Sequence, residues 1–191
     1  MKTQQIAIIL SIFAIILTSC SNQSRLLANI DSYIQTYPDS AYTELKKYKE
    51  SDFTSRKNRA KYCTLYATAL DKNYNDTSKF LDTLISYKNY YAHHGSKRDR
   101  MLYKFYLGDQ MSDSGMPESA ITYFSEALKY ATNINDWFYC GTASQWISIL
   151  YAKQYNYNQQ LEYAEKACYY LKKTDKLGHL GDSRIKLAIA Y

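Results

Sequence analysis

Proline and glycine are scarce: the 191 residues hold two prolines, Pro38 and Pro117, and six glycines. That scarcity excludes turn-rich β-sandwiches and barrels, and no strand-like alternation bounded by turn signals occurs. Long apolar runs are missing too. The one candidate, Ile6 to Leu17, is uncharged and broken only by Ser11. It falls short of the roughly 20 residues a membrane-crossing helix needs. No Gly-rich phosphate loop, no Ser-His-Asp pattern and no acid pair with catalytic context can be found, so neither an enzyme nor a bound cofactor is expected. Of the four cysteines, Cys20 stands apart near the N-terminus, leaving Cys63, Cys140 and Cys168. An odd set excludes a framework of paired disulfides, and none has the CxxC or zinc-ligand spacing of a metal site. They read as small buried helix residues.

What remains is helical. With 46% hydrophobic and 22% charged residues the composition is that of a globular chain. Apolar residues recur at three and four, with polar breaks between segments. The spacing predicts helices over about 24–36, 41–49, 56–72, 76–94, 96–112, 117–132, 136–154 and 158–173, and a last one from about Asp182. Pro38 stops the first, since the residue before a proline avoids the helical region. Asp39 or Ser40, then Ser55, Ser96, Asn135 or Asp136, and Asn158 supply starts. Gly95 and Gly115 supply stops, and Pro117 fits a first helical turn. Helices joined by loops this short pack as antiparallel neighbours. If the seventh and eighth form a hairpin, Cys140 and Cys168 lie nearly level across it. The facing side is not fixed, so this is a statement of proximity rather than of a bridge.

The N-terminus is a targeting segment: Lys2 gives a positive start, the run from Ile6 to Leu17 an apolar core, and the core ends in Leu17-Thr18-Ser19-Cys20. Those four residues resemble the lipobox of bacterial lipoproteins. The resemblance implies cleavage after residue 19, acylation of Cys20, and 20–24 as a short tether. Two or three acyl chains, each buried CH₂ contributing roughly 0.8 kcal/mol, make a firm anchor. Removal of Lys2 lowers the net charge from +6 to +5. That excess suits an anionic surface or an acidic partner and is too diffuse for nucleic acid. By the same resemblance, Ser21 after the cysteine and the lack of an acidic run point to the cell membrane or outer membrane, facing the periplasm.

An internal repeat follows. Leu107-Gly108 with Met111 is answered forty residues on by Ile147-Ser148 with Tyr151, and again by Leu187-Ala188 with Tyr191. Ala120, Phe124 and Ala127 are answered at the same step by Gln160, Ala164 and Ala167. Small residues at these positions let helices approach to about 8–10 Å while large neighbours fill the space around them. The pattern resembles the tetratricopeptide (TPR) repeat, in which a large–small pair on one helix meets a small, an aromatic and an alanine position on the next. Gln160 and Ala164 depart from that pattern, as do Thr132 and Lys172 at its terminal proline, and the period exceeds the usual ~34 residues. The resemblance implies an all-α, TPR-like α-solenoid of about four antiparallel pairs plus a truncated final helix. Residues 25–95 would form degenerate pairs, and 96–191 clear repeats with the last incomplete. It is similar to the exported TPR region of Gram-negative membrane-bound regulators.

Twenty-two tyrosines stand out, clustered at 87–91, 151–157 and 163–170. Tyrosine fills helix seams and also marks contact surfaces. The adjacent His93 and His94 point about 100° apart on a helix and suit a polar helix end better than a shared ion. Lys97, Arg98 and Arg100 read as a solvated face. The family resemblance implies a scaffold or sensor that binds a protein or peptide in its groove, held at the membrane through Cys20. A second reading is a glycan-binding lipoprotein in which exposed Trp137 and Trp146 stack on sugars. A third is the remnant of a longer regulator.

Overall fold

The computed structural model describes residues 21–75, 80–175, 178, 181, 183 and 184. Cys20 and the targeting segment lie outside them, as do Leu187, Ala188 and Tyr191. All regular structure among the described residues is helical, with no strand among them, and consecutive helices pack in adjacent pairs. The chain divides into two compact units between Asp76 and Thr77.

In the first unit, α1 (residues 21–33) is followed by α2 (Pro38–Leu45), a 3₁₀ turn at Glu50–Asp52 and α3 (Arg56–Lys72). α1 buries Leu27 and Ile30, and Ile34 is buried in the turn beyond it. Its polar edge is tied to the α3 region. Ser24 Oγ donates to Asn58 Oδ1 at 3.0 Å, and Lys61 and Asp31 pair at 2.7 Å with both side chains largely buried. At α3 the reading from Ser55 holds: its hydroxyl accepts from the Asn58 N–H, and the helix runs Arg56–Lys72 as expected. α2 differs. It starts at Pro38, three residues before the expected Ala41, because a proline with preset φ and no N–H to satisfy opens a helix without a side-chain cap. Asp39 therefore sits in the first turn rather than at the cap.

The second unit holds α4 (Leu81–Ser86), α5 (Lys88–His93), α6 (Lys97–Asp113), α7 (Pro117–Asn133), α8 (Trp137–Lys153) and α9 (Tyr157–Leu171). The single helix expected up to His94 is broken at Tyr87, whose φ of −95° and ψ of 5° close a tight turn through its N–H to the Leu84 carbonyl. Gly95, at φ 89°, ends α5 as read. α6 opens with a reciprocal Ser96–Asp99 capping box. Asp136 caps α8 and Asn156 caps α9, the latter two residues ahead of the expected Asn158.

The forty-residue step reappears in the backbone. α6 and α8 begin and end forty apart, as do the starts of α7 and α9. Between helices the chain turns through one left-handed residue every twenty positions: Gly95, Gly115, Asn135 and Tyr155. The last three close the same turn. The residue after the left-handed one donates its N–H five residues back (Met116 to Met111, Asp136 to Ala131, Asn156 to Tyr151), and the left-handed residue itself donates three back. This is the Schellman arrangement, which satisfies the last carbonyls of each helix. Glycine suits the position and asparagine tolerates it, but tyrosine is strained there. Tyr155 has φ 58° and is 79% exposed, so its side chain contributes little packing in return. Tyr155→Gly is expected to stabilise the protein by about 1 kcal/mol, read as a rise in thermal midpoint. Asn135→Gly should give a smaller gain. A lower midpoint for Tyr155→Gly would show that the phenol packs usefully.

Candidate functional site

The helix crossings position the side chains that reach the surface. At the α6–α7 crossing Gly108 faces Phe124. A Cβ built on Gly108 would lie 3.2 Å from the Phe124 ring and from its backbone nitrogen. Leu107, Ala120, Phe124 and Ala127 are all at most 1% exposed. At the α8–α9 crossing Ser148 stands in the corresponding place, and its hydroxyl donates to the Gln160 carbonyl at 2.8 Å. Ile147, Ala164 and Ala167 are buried there, whereas Tyr151 is half-buried with its ring 5.8 Å from that of Tyr163. A second close approach had no counterpart in the sequence reading: a Cβ on Gly141 would fall 2.4 Å from Cγ of the buried Leu171. A glycine inside a long helix costs about 1 kcal/mol against alanine, and that penalty is the signal that could have flagged it.

The three described cysteines are buried, and no disulfide occurs among the described residues. The α8–α9 hairpin has the expected register, with Ser148 against Gln160 and Gly141 against Leu171. The Cys140 thiol, however, turns towards α7, with its sulfur 3.6 Å from the Thr132 hydroxyl. Burial pushes both the Cys140 and the Cys168 thiols above the ordinary range, so neither is an activated nucleophile.

A cleft of about 240 Å³ opens between α5, α6 and α7. Lys104 lines it, paired with Glu126 and with its ammonium 5.0 Å from the centre of the Tyr123 ring. Tyr91, Lys129, Tyr130 and Asn133 form the walls. Tyr91 is fixed by stacking on Tyr103 at 4.3 Å, and the Tyr103 hydroxyl donates to the Leu84 carbonyl of α4. Burial raises the Tyr103 phenol well above its usual range, so it remains a neutral donor. The cleft thus presents both charge signs and amphipathic rings on rigid helices. Sequence reading missed it. The signal was Lys104, a lone charge among Met101, Leu102, Tyr103, Phe105, Tyr106 and Leu107.

The tyrosine clusters divide. Tyr87, Tyr91, Tyr103, Tyr106 and Tyr139 are buried, while Tyr155, Tyr157 and Tyr169 are exposed. Both tryptophans are half-buried rather than exposed: Trp146 stacks on Phe124 at 6.1 Å and Trp137 on Tyr170 at 6.0 Å. Each indole has one face already taken, which leaves less for a sugar ring. His93 and His94 are exposed at the end of α5, with His94 against Tyr90 at 5.2 Å. Arg100 Nε donates to the His94 carbonyl at 3.1 Å. No protein-family model matches the chain, and no curated protein matches it.

Proposed function

We propose that the chain is a lipid-anchored interaction module of the cell envelope, a TPR-like α-solenoid that holds a protein or peptide partner. The observation that carries the reading is the forty-residue recurrence of helix bounds and of left-handed turns in the second unit. An array of that kind stacks equivalent helix pairs and displays an extended surface, which is how repeat proteins bind. The small-residue crossings at Gly108 and Ser148 support it. So does the mixed-charge cleft around Lys104 and Glu126. Among the described residues no helix is long and apolar enough to cross a membrane. In this reading the membrane is reached through Cys20.

Cys20→Ser tests the anchor: lipid labelling should disappear and the protein should leave the membrane fraction. A serine variant that still carries label and still sediments with membranes overturns it. For the partner, a photo-cross-linking residue placed at Tyr130 in the cleft should give a discrete adduct in the native envelope. The same residue at Glu162 on the exposed side of α9 should not. Equal adducts at both positions would remove the cleft from the interaction.

A further inference from the structure

Three cationic side chains of α6 fall on one face. Lys97, Arg100 and Lys104 stand at i, i+3 and i+7, within about 60° of one another around the helix and over about 10 Å of its length. That face runs into the cleft between α5 and α7, which Lys104 lines. Arg100 is fixed towards the end of α5 by the bond from its Nε to the His94 carbonyl. From α7 the cleft takes Glu126, Lys129, Tyr130 and Asn133, again the spacing of one helix face. The strip thus carries the cations of Lys97, Arg100, Lys104 and Lys129 and the carboxylate of Glu126, which pairs with Lys104. Asp99, the first acid of α6, is turned elsewhere. It lies about 200° around the helix from Lys97, and its carboxylate accepts from the Ser96 N–H and hydroxyl in the capping box.

The excess of positive charge selects an anionic ligand, and the depth of the strip selects its form. The Lys104 side chain is 13% exposed, whereas Lys97 and Lys129 are open to solvent. A flat array of lipid headgroups meets the two outer lysines without reaching the inner one. A carboxylate on a side-chain stem is narrow enough to enter a cleft of about 240 Å³ whose lining includes Tyr91 and Tyr130. The Lys104 ammonium has three N–H donors, so it can bond a second carboxylate without releasing Glu126. Length agrees as well. Extended chain advances about 3.3–3.6 Å per residue, so three or four residues span the strip.

We infer that Lys97, Arg100, Lys104 and Lys129 form the docking surface for a short Asp- or Glu-rich segment of a partner protein, laid along α6 between α5 and α7. The inference rests on the reading of the cleft as a partner site and adds the partner's charge.

Fluorescein-labelled hexaglutamate titrated with the full chain in a nonionic detergent tests it by fluorescence anisotropy. The expected result is saturable binding that weakens steeply as salt rises from about 0.05 to 0.5 M. Lys97→Glu and Lys129→Glu, both at exposed positions, should each weaken binding about fivefold. The first of these puts an acid in the first turn of α6, where it suits the helix dipole. Lys153→Glu changes the net charge equally at the end of α8, beside Gln154, whose amide reaches Glu118 at the start of α7. It should bind as the wild type does. Circular dichroism verifies the folding of each variant. An unsaturable response, equal losses in all three variants, or displacement of the peptide by phosphatidylserine mixed into the micelles overturns the proposal. A cross-link from Tyr130 that captures a neutral or basic segment also overturns it, while leaving the cleft as a partner site.

Discussion

Phe124→Ala should cost the second unit about 3–5 kcal/mol, the range for truncating a fully buried phenylalanine. The ring is inaccessible to solvent and closes the α6–α7 crossing over Gly108. It meets Phe105 edge-on at 5.3 Å and carries Trp146 of α8 in a parallel stack at 6.1 Å. One substitution therefore opens a cavity at the crossing and removes two aromatic contacts, each worth about 0.5–1.5 kcal/mol beyond area burial. Gly108 deepens the loss, because it has no side chain that can move into the space. Denaturant unfolding followed by circular dichroism measures the change. Tyr157→Ala, at a 61% exposed position, serves as the control and should stay within about 0.5 kcal/mol. A loss below about 1 kcal/mol for Phe124→Ala would mean that the crossing collapses around the missing ring, and the tight α6–α7 contact would have to be abandoned.

A second large effect is expected at Gly141, where helix propensity and packing oppose each other. On propensity alone, alanine inside α8 would stabilise by about 1 kcal/mol. The new Cβ would fall 2.4 Å from Leu171 Cγ, and Leu171 has no exposed surface to retreat into. Overpacking of this kind typically costs about 1–3 kcal/mol, so packing wins and Gly141→Ala should destabilise. The sign should reverse in a Leu171→Ala background. That change alone costs about 2–5 kcal/mol, but with the leucine gone the propensity gain of Gly141→Ala is unopposed. A double-mutant cycle reads the difference directly. If Gly141→Ala stabilises with Leu171 in place, the close approach of α8 and α9 is wrong.

The sequence was informative wherever the physics is local. Ser55, Ser96 and Asp136 each carry their own capping chemistry, so the starts of α3, α6 and α8 could be read from one or two residues. The same holds for the repeat: Gly108 and Phe124 stand in a spacing that periodicity reveals, and they meet. Tyr87 offers no comparable signal, being neither proline nor glycine, and the break between α4 and α5 could not be seen. At Pro38 the signal was present but used for the wrong side: the proline opens α2 as well as closing what precedes it. Lys104 with Glu126, and Gly141 with Leu171, are partnerships between helices. They depend on how far each helix is rotated about its axis, which short segments of sequence do not encode.

The repeated turn bears on how such a chain can be built. Met116, Asp136 and Asn156 each leave the preceding helix through the same pair of backbone bonds. A segment from one such turn to the second one after it therefore begins and ends in the same geometry. Duplicating residues 117–156 would insert another helix pair without requiring a new kind of joint. Residues that pack across such an array are also near in sequence, an arrangement of low contact order that favours rapid folding. Length in this architecture is adjustable by whole units, so a gene encoding it can lengthen or shorten the array by recombination while each remaining joint stays intact.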